Sequence, residues 1–432
     1  MFRIEGYFNP FLAAGQTRLD AVLTITSSAG AASGMDAAVP AGKQVVGFVM
    51  DVSGSMKGEK LAQAKRAARR GIDLLDEATW FFVIVFAGDA KVVVPACPAT
   101  RQNKAAAHQK VQDLSASGST AMSIGLDLAM REVLVSGATI ASVYFQTDGD
   151  NGGDDTRQLP QVIERCKGVF QCDCRGIGTD WKPAELRMIA SALLGTADAV
   201  TDPAGLEEDF RAFLARSLAK GIASAMLRLW SPKVVKLLSV KQVSPEIVDQ
   251  LPLARRLDDK TLEIPLGAWA NETRDYQLAF ELPAGSIGDE MLACRAAVVV
   301  NGPEGESKIG CDPVAVKWSM DDALTTRISK EVAHYNGQSE LANSIQAGLE
   351  ARGLGDEDKA TRLLGRAAQI AAQTGNAEVT RRLKKVVEVV DAATGTVRLR
   401  KADKAAEMAL EMGGTRTVRR RAADAPQPPV QS

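Results

Sequence analysis

The chain is poor in the side chains that most enzymes lean on. Only two histidines occur among 432 residues. His108 and His334 each fall in a helical segment, far in sequence from any Ser or Cys nucleophile context, so packing or surface roles are expected and catalysis is not. Six cysteines are scattered. Cys166, Cys172 and Cys174 cluster in "RCKGVFQCDC", but the spacing fits neither C-x-x-C nor a four-ligand zinc pattern. Reduced thiols are expected, with no disulfide between Cys294 and Cys311 either. Long apolar runs are missing too: the best, "WFFVIVFAGDAKVVVPA", is broken by Asp89 and Lys91. The first residues lack a basic stretch followed by a continuous apolar core, so no signal peptide is expected. These points exclude a membrane partner and set the expected location as the cytoplasm. Charge of neither sign prevails, with 52 basic against 53 acidic residues and a net charge of −1. A nucleic-acid surface is therefore not expected from bulk electrostatics. "AGKQ" at 41–44 lacks the glycines and Ser/Thr of a phosphate loop, which excludes a P-loop ATPase.

What is present is ordinary globular material, 46% hydrophobic and 24% charged, long enough for two or three domains. In "TRLDAVLTITSS", Leu19, Ala21, Leu23 and Ile25 alternate with more polar neighbours, the mark of a half-buried strand. From Gln44 onward, short apolar runs ("QVVGFVM", "WFFVIVFA", "IASVYFQT") alternate with helical patterns, such as Leu61, Ala64, Ala68, Ile72 and Leu75. Alternation returns after residue 222, as in "DYQLAFEL". The expected fold is α/β: a doubly wound, mainly parallel, Rossmann-like sheet over 43–221, inserted in a discontinuous β-sandwich formed by 1–42 and 222–318. The insertion follows because two strands alone are marginal, so the N-terminal strands need partners from the later segment. An α-helical region over 319–412 comes next, with a helical hairpin turning at Gly375-Asn376 and a second helix running through "AEVTRRLKKVVEVVDAA". A disordered tail is expected over 413–432.

Chemistry concentrates in "VMDVSGSMKG" (49–58). Asp51 falls where the first buried strand ends, the end at which open α/β sheets bind ligands. Ser53 and Ser55 follow at alternate positions around Gly54. "SASGSTAMSIGLDLA" supplies Thr120 at a loop-to-helix junction, and "VYFQTDGD" supplies Asp148 at another strand end. Two carboxylates and three hydroxyls make a hard-cation set suited to Mg²⁺, with Mn²⁺ or Ca²⁺ as alternatives.

These three pieces resemble the metal-ion-dependent adhesion site of the von Willebrand factor type A (VWA) family, in its bacterial cytoplasmic form. The match covers 43–221 and all five positions of the pattern. The resemblance implies metal ligation by Asp51, Ser53, Ser55, Thr120 and Asp148. The serines would bind directly, Thr120 would switch between modes, and the acids would act mostly through water. A coordination position then stays open for a partner's Glu or Asp. The function so implied is a non-enzymatic, metal-dependent protein-binding module. The alternatives are an accessory subunit of an AAA+ ATPase or chelatase-like complex and, more weakly, a metal-dependent hydrolase, for which no general base or nucleophile is placed by motif. Asp150, Asp154 and Asp155 are expected to rim the site, exposed. In the tail, Thr415 and Thr417 beside Arg416 and Arg419 to Arg421 offer a kinase substrate and, once phosphorylated, a ligand for a forkhead-associated domain. The plainer reading there is a solvated basic tail.

Overall fold

The computed structural model describes residues 1–28, 42–302, 305–401 and 404–419. Three strands come first: β1 Phe2–Phe8, β2 Phe11–Ala13 and β3 Arg18–Ser27. The α/β unit then runs β4 Gln44–Asp51, α1 Glu59–Leu74, β5 Trp80–Phe86, β6 Ala90–Pro98, α2 Arg101–Gln112 and α3 Met122–Ser136. It continues with β7 Ile140–Gly149, α4 Asp155–Cys166, β8 Gln171–Asp180, α5 Pro183–Ala192, β9 Ala197–Val200 and α6 Leu206–Leu218. Its sheet has the order β6-β5-β4-β7-β8-β9, parallel except for the antiparallel β5–β6 edge pair. Central strands sandwiched between helix layers must be apolar on both faces. Accordingly every residue of β7 is buried, and every residue of β4 after Gln44. Val46, Phe48 and Met50 pack with Ala64, Ala68 and Ile72 of α1 and Phe210 and Phe213 of α6. Val45 and Val49 face the other way, toward Leu126 of α3, Leu159 of α4 and Ile189 of α5.

Strands β10 Ile222–Trp230, β11 Lys236–Ser244, β12 Val248–Asp249, β13 Arg255–Arg256, β14 Thr261–Trp269, β15 Glu272–Glu281, β16 Glu290–Gly302, β17 Gly305–Gly310 and β18 Val314–Ser319 form the second β segment. One sheet has the order β1-β3-β15-β11-β12, and the other β13-β14-β10-β16-β18-β2, with β17 on β16. The chain's first strands thus join strands more than 200 residues later: Leu23 lies opposite Tyr276 and Leu19 opposite Phe280. The two inner faces share one core, including Ile4, Leu23, Leu227, Ile264, Leu278, Val298 and Trp318.

The C-terminal region holds α7 Asp322–Thr325, α8 Lys330–Gly353, α9 Glu357–Gln373, α10 Ala377–Val386, the hairpin β19 Val387–Asp391 and β20 Thr396–Leu399, and α11 Lys404–Gly413. Gly375 takes a left-handed turn (φ 67°), and Asn376 Oδ1 caps α10 by accepting from the Val379 amide (3.1 Å). The helix expected to continue through "VVEVVDAA" instead stops at Val386, because that run of valines favours a strand, and β19 pairs with β20. Helix α11 is a wedge. Its Met408 and Met412 enter the α/β core, and its Leu410 enters the helical core.

Residues 413–419, expected in a disordered tail, are held in place. The Ile247 amide donates to the Thr415 carbonyl (2.9 Å) and the Thr417 amide to the Pro245 carbonyl (3.0 Å). Thr415 Oγ1 donates to Glu246 (2.8 Å) and Thr417 Oγ1 to the Val243 carbonyl (2.6 Å). Neither threonine is therefore the free hydroxyl that a flexible tail would offer a kinase. Arg420, Arg421 and the rest of the tail lie outside the described residues.

Candidate functional site

The site is built where β4 and β7 end. Asp51 closes β4 with its side chain fully buried. Its two oxygens are both engaged: Oδ1 accepts from the Ser53 amide (2.7 Å) and Oδ2 from Thr147 Oγ1 (2.5 Å). The following loop is tied down by backbone bonds, from the Val52 amide to Phe86 (2.8 Å), from Ser117 to Val52 (2.8 Å) and from Gly54 to Gly118 (2.9 Å). These ties orient the two serines. Ser53 Oγ lies 3.0 Å from Ser55 Oγ, and Ser55 Oγ donates to Asp148 Oδ1 (2.6 Å). Thr120 is reached across Gly149: a Cβ placed on that glycine would sit 3.1 Å from Thr120 Oγ1 and 3.5 Å from Ser55 Oγ. Gly149 is thus the clearance that lets the hydroxyls of two loops approach. All five residues singled out from the sequence, Asp51, Ser53, Ser55, Thr120 and Asp148, meet at this one end of the sheet.

Two buried carboxylates in one place need a cation or a proton. Burial pushes the Asp51 carboxyl above the usual range, against the hydrogen bonds from Ser53 and Thr147, and the nearby Asp148 charge pushes the same way. Asp148, with no exposed side-chain surface, is paired with Lys60 at 2.5 Å. Lys60 reaches over from the first turn of α1 and is itself 25% exposed. A cation therefore already finds favourable ground here. The donor chemistry, all oxygen and mostly neutral, fits a hard divalent ion better than zinc or copper.

A layer behind the site was not legible as such. Asn151 Oδ1 accepts from the Met122 amide (3.0 Å), and Asp155 accepts from both the amide and the hydroxyl of Ser123. Both residues sit in the loop and first turn after β7, and both pin the start of α3, the junction that carries Thr120. Asp155 was expected on an exposed rim. It is 8% exposed, because α3 begins with unpaired amides that attract a carboxylate. Asp150 and Asp154 are exposed, and Lys182 lies 3.3 Å from Asp150. Glu185 accepts from the Asn151 amide (3.2 Å), and its partial burial pushes its carboxyl up. The motif pattern does not mark Lys60 either. Its signal was its position, two residues after Gly58, in the turn that faces the strand ends.

The remaining chemistry-bearing residues lie elsewhere. His108 stands 3.0 Å from Asp73, and His334 is 2.7 Å from the Val418 carbonyl. All six cysteines are free. Burial pushes the Cys166 thiol up to about 12 and raises that of Cys172, whose sulfur is 3.8 Å from that of Cys174. Among the described residues, no group of three or more His, Cys, Asp or Glu is placed to hold a metal, and no helix is long and apolar enough to cross a membrane.

Comparison with known proteins identifies relatives of the chain. A family model for the von Willebrand factor type A domain matches residues 44–199, and one for the von Willebrand factor type A C-terminal domain matches 369–414. A solved structure, "von Willebrand factor type A from Catenulispora acidiphila", is 39% identical over 97% of both chains, with a TM-score of 0.89. The ArnB paralog VWA2 from Sulfolobus acidocaldarius shares the fold at 14% identity and a TM-score of 0.59, over 96% of this chain and 98% of its own. The uncharacterized protein sll0103 of Synechocystis is 31% identical over 207 residues, 47% of this chain and 49% of that protein. Bovine inter-alpha-trypsin inhibitor heavy chain H4 is 30% identical over 190 residues, 41% of this chain but 21% of its own. The chain thus spans about half, or less, of these curated relatives.

Proposed function

The chain belongs to the von Willebrand factor type A family, generally a family of protein-interaction modules, and from that premise we propose that it binds a protein partner through a divalent metal, Mg²⁺ foremost. The observation that carries this reading is the convergence of five oxygen-bearing side chains at one strand-end cluster, with Asp51 and Asp148 both buried and a serine hydroxyl bonded to the latter. Asp51, Ser53, Ser55, Thr120 and Asp148 would hold the ion. A bound Mg²⁺ would supply a coordination position for an acidic side chain of the partner. The chain's own residues do the positioning. Asp51 orients the Ser53 amide, Thr147 fixes the Asp51 carboxylate, and Ser55 aligns Asp148. Asn151 and Asp155 fix the start of α3 and with it Thr120. Neutral hydroxyls outnumber carboxylates, so an ion held here would remain attractive to an outside anion.

The test is capture of partners from the host lysate on the full chain, with Mg²⁺ or EDTA, using wild type and Asp51→Ala. A partner retained only by wild type in Mg²⁺ is expected. Identical partners in all four conditions would contradict the reading and would move binding to the sandwich or the helices.

A further inference from the structure

Helix α1 leaves the candidate metal loop at Gly58 and carries an unusual outer face. Lys65, Arg66, Arg69 and Arg70 lie at one-, three- and four-residue spacings, so they share a stripe opposite the buried Ala64, Ala68 and Ile72. Like charges four apart on a helix repel. Here there are two such pairs, Lys65 with Arg69 and Arg66 with Arg70, and the surroundings do little to neutralise them. Lys65 donates to the Gln112 carbonyl (2.8 Å) and Arg69 to Gln112 Oε1 (2.8 Å), both neutral acceptors. The nearest acid to Arg70 is Glu207 at 3.8 Å, and Asp73 is faced by His108. Arg66 has no carboxylate partner among the described residues, and Arg69 Nε is buried with no acceptor at all.

This stripe lines a cleft of about 490 Å³ between α1 and α2, and the wall of the cleft begins at Gly58. Gly58 has φ 83°, a conformation that glycine adopts readily, and it closes the same loop that carries Asp51, Ser53 and Ser55. Gly58 is therefore the point at which the cleft meets the loop of the candidate metal site.

We propose that this cleft docks an acidic segment of the protein partner, whose further carboxylates pair with Lys65, Arg66 and Arg69 while one acid reaches the metal loop. The proposal rests on the metal-dependent reading above for its direction, but the cleft's own chemistry is independent of the ion. Carboxylates satisfy guanidinium forks in pairs, which the neutral acceptors of Gln112 do not. An acidic peptide fits better than a nucleic acid for two reasons. No Phe, Tyr or Trp lines the cleft to stack a base. The chain as a whole, at −1, offers no broad positive field to an extended phosphate backbone running beyond the cleft.

The experiment uses the full chain and fluorescein-labelled decaglutamate, followed by fluorescence anisotropy in Mg²⁺ and in EDTA, with Mg²⁺ affinity measured alongside. The variants are Arg66→Glu with Arg69→Glu, the milder Arg66→Gln with Lys65→Gln should the first fail to fold, and Asp51→Ala. Saturable binding by wild type is expected. It should be weakened about tenfold by the charge reversal in both buffers, with Mg²⁺ affinity unchanged. Asp51→Ala should remove only the part of decaglutamate binding that depends on Mg²⁺. Loss in the cleft variants alongside no Mg²⁺ binding by wild type would uphold the cleft and refute the metal reading. Mg²⁺ binding with decaglutamate affinity indifferent to the cleft charges, or no saturable decaglutamate binding, would overturn the cleft proposal. So would tighter binding of a ten-nucleotide oligothymidylate that is lost in the same variants, which would mark a nucleic-acid surface instead.

Discussion

The Asp148 carboxylate is shared between the Ser55 hydroxyl and the Lys60 ammonium, and none of its side chain reaches solvent. Lys60 therefore has two opposed effects. It balances a buried charge, and it competes with any metal for the same oxygens. Lys60→Met keeps the aliphatic stem and removes the charge. Mg²⁺ affinity, measured by calorimetric titration, is expected to rise about three- to tenfold, because the competing ion pair is worth on the order of 1 kcal/mol at a partly exposed site. In EDTA the same variant is expected to lose about 1–2 kcal/mol of stability in urea unfolding, because Asp148 is left buried without its partner. At this scale the candidate site was largely legible. Asp51 ends a continuous apolar run, Asp148 falls near the end of the strand "IASVYFQT", and Ser53 and Ser55 follow Asp51 at alternate positions. Lys60 was not legible, because a lysine in the first turn of an amphipathic helix reads as solvated until the neighbouring strand end is placed beside it.

The element that matters most to the site is α3, which positions Thr120 just before its first turn. Its start is fixed by side chains of the β7–α4 connection rather than by its own cap: Ala121 offers no side-chain acceptor, and Asn151 and Asp155 supply the oxygens. Asp155→Ala is expected to cost about 1–3 kcal/mol, through two buried groups of Ser123 left without an acceptor. It is also expected to weaken Mg²⁺ binding severalfold, although Asp155 is not among the five candidate ligands. Urea denaturation and metal titration on the same variant check both. Two residues this far from α3 in sequence cannot be read as its cap, since capping signals are searched within a few residues of a helix start. The β19–β20 hairpin shows the opposite difficulty. "KKVVEVVDAA" carries a helical pattern into a valine-rich run, and the local preference of the valines prevails once the helix ahead of it is capped at Val387.

The whole molecule is held together at seams between its parts. Asp198 at the end of the α/β sheet accepts from Arg382 of α10 and from Arg416 of the C-terminal segment. Those two arginines hold the Asp198 carboxyl below the usual range, against the upward push of burial. Asp275 in the sandwich gathers Thr24 (2.5 Å), Tyr335 of α8 (2.5 Å) and Arg419 (3.0 Å). The last described residues thus strap all three parts together. That was hidden in the sequence, because "GTRTVRR" carries mostly polar and basic character and its partners in the α/β sheet and the sandwich, Asp198, Glu246 and Asp275, lie more than 100 residues away. A second seam, where α6 runs into β10, has a measurable signature. Burial lowers the Lys220 ammonium from 10.5 to about 8, despite the opposing Asp173. The unfolded chain then binds more protons than the folded one between these values, so stability rises as pH climbs from about 8 to 10.5. Below about pH 8 the penalty is complete. Lys220→Met is expected to add about 1–3 kcal/mol at pH 7 and to flatten that alkaline rise, as read by thermal unfolding across pH.

One measurement tests the central claim most directly: calorimetric titration of Mg²⁺ into the full chain, wild type beside Asp51→Ala and Asp148→Asn, with circular dichroism to establish that all three are folded. The account expects one saturable site in wild type, lost in both variants. Equal heats in all three proteins, or no binding by a folded wild type, would contradict it.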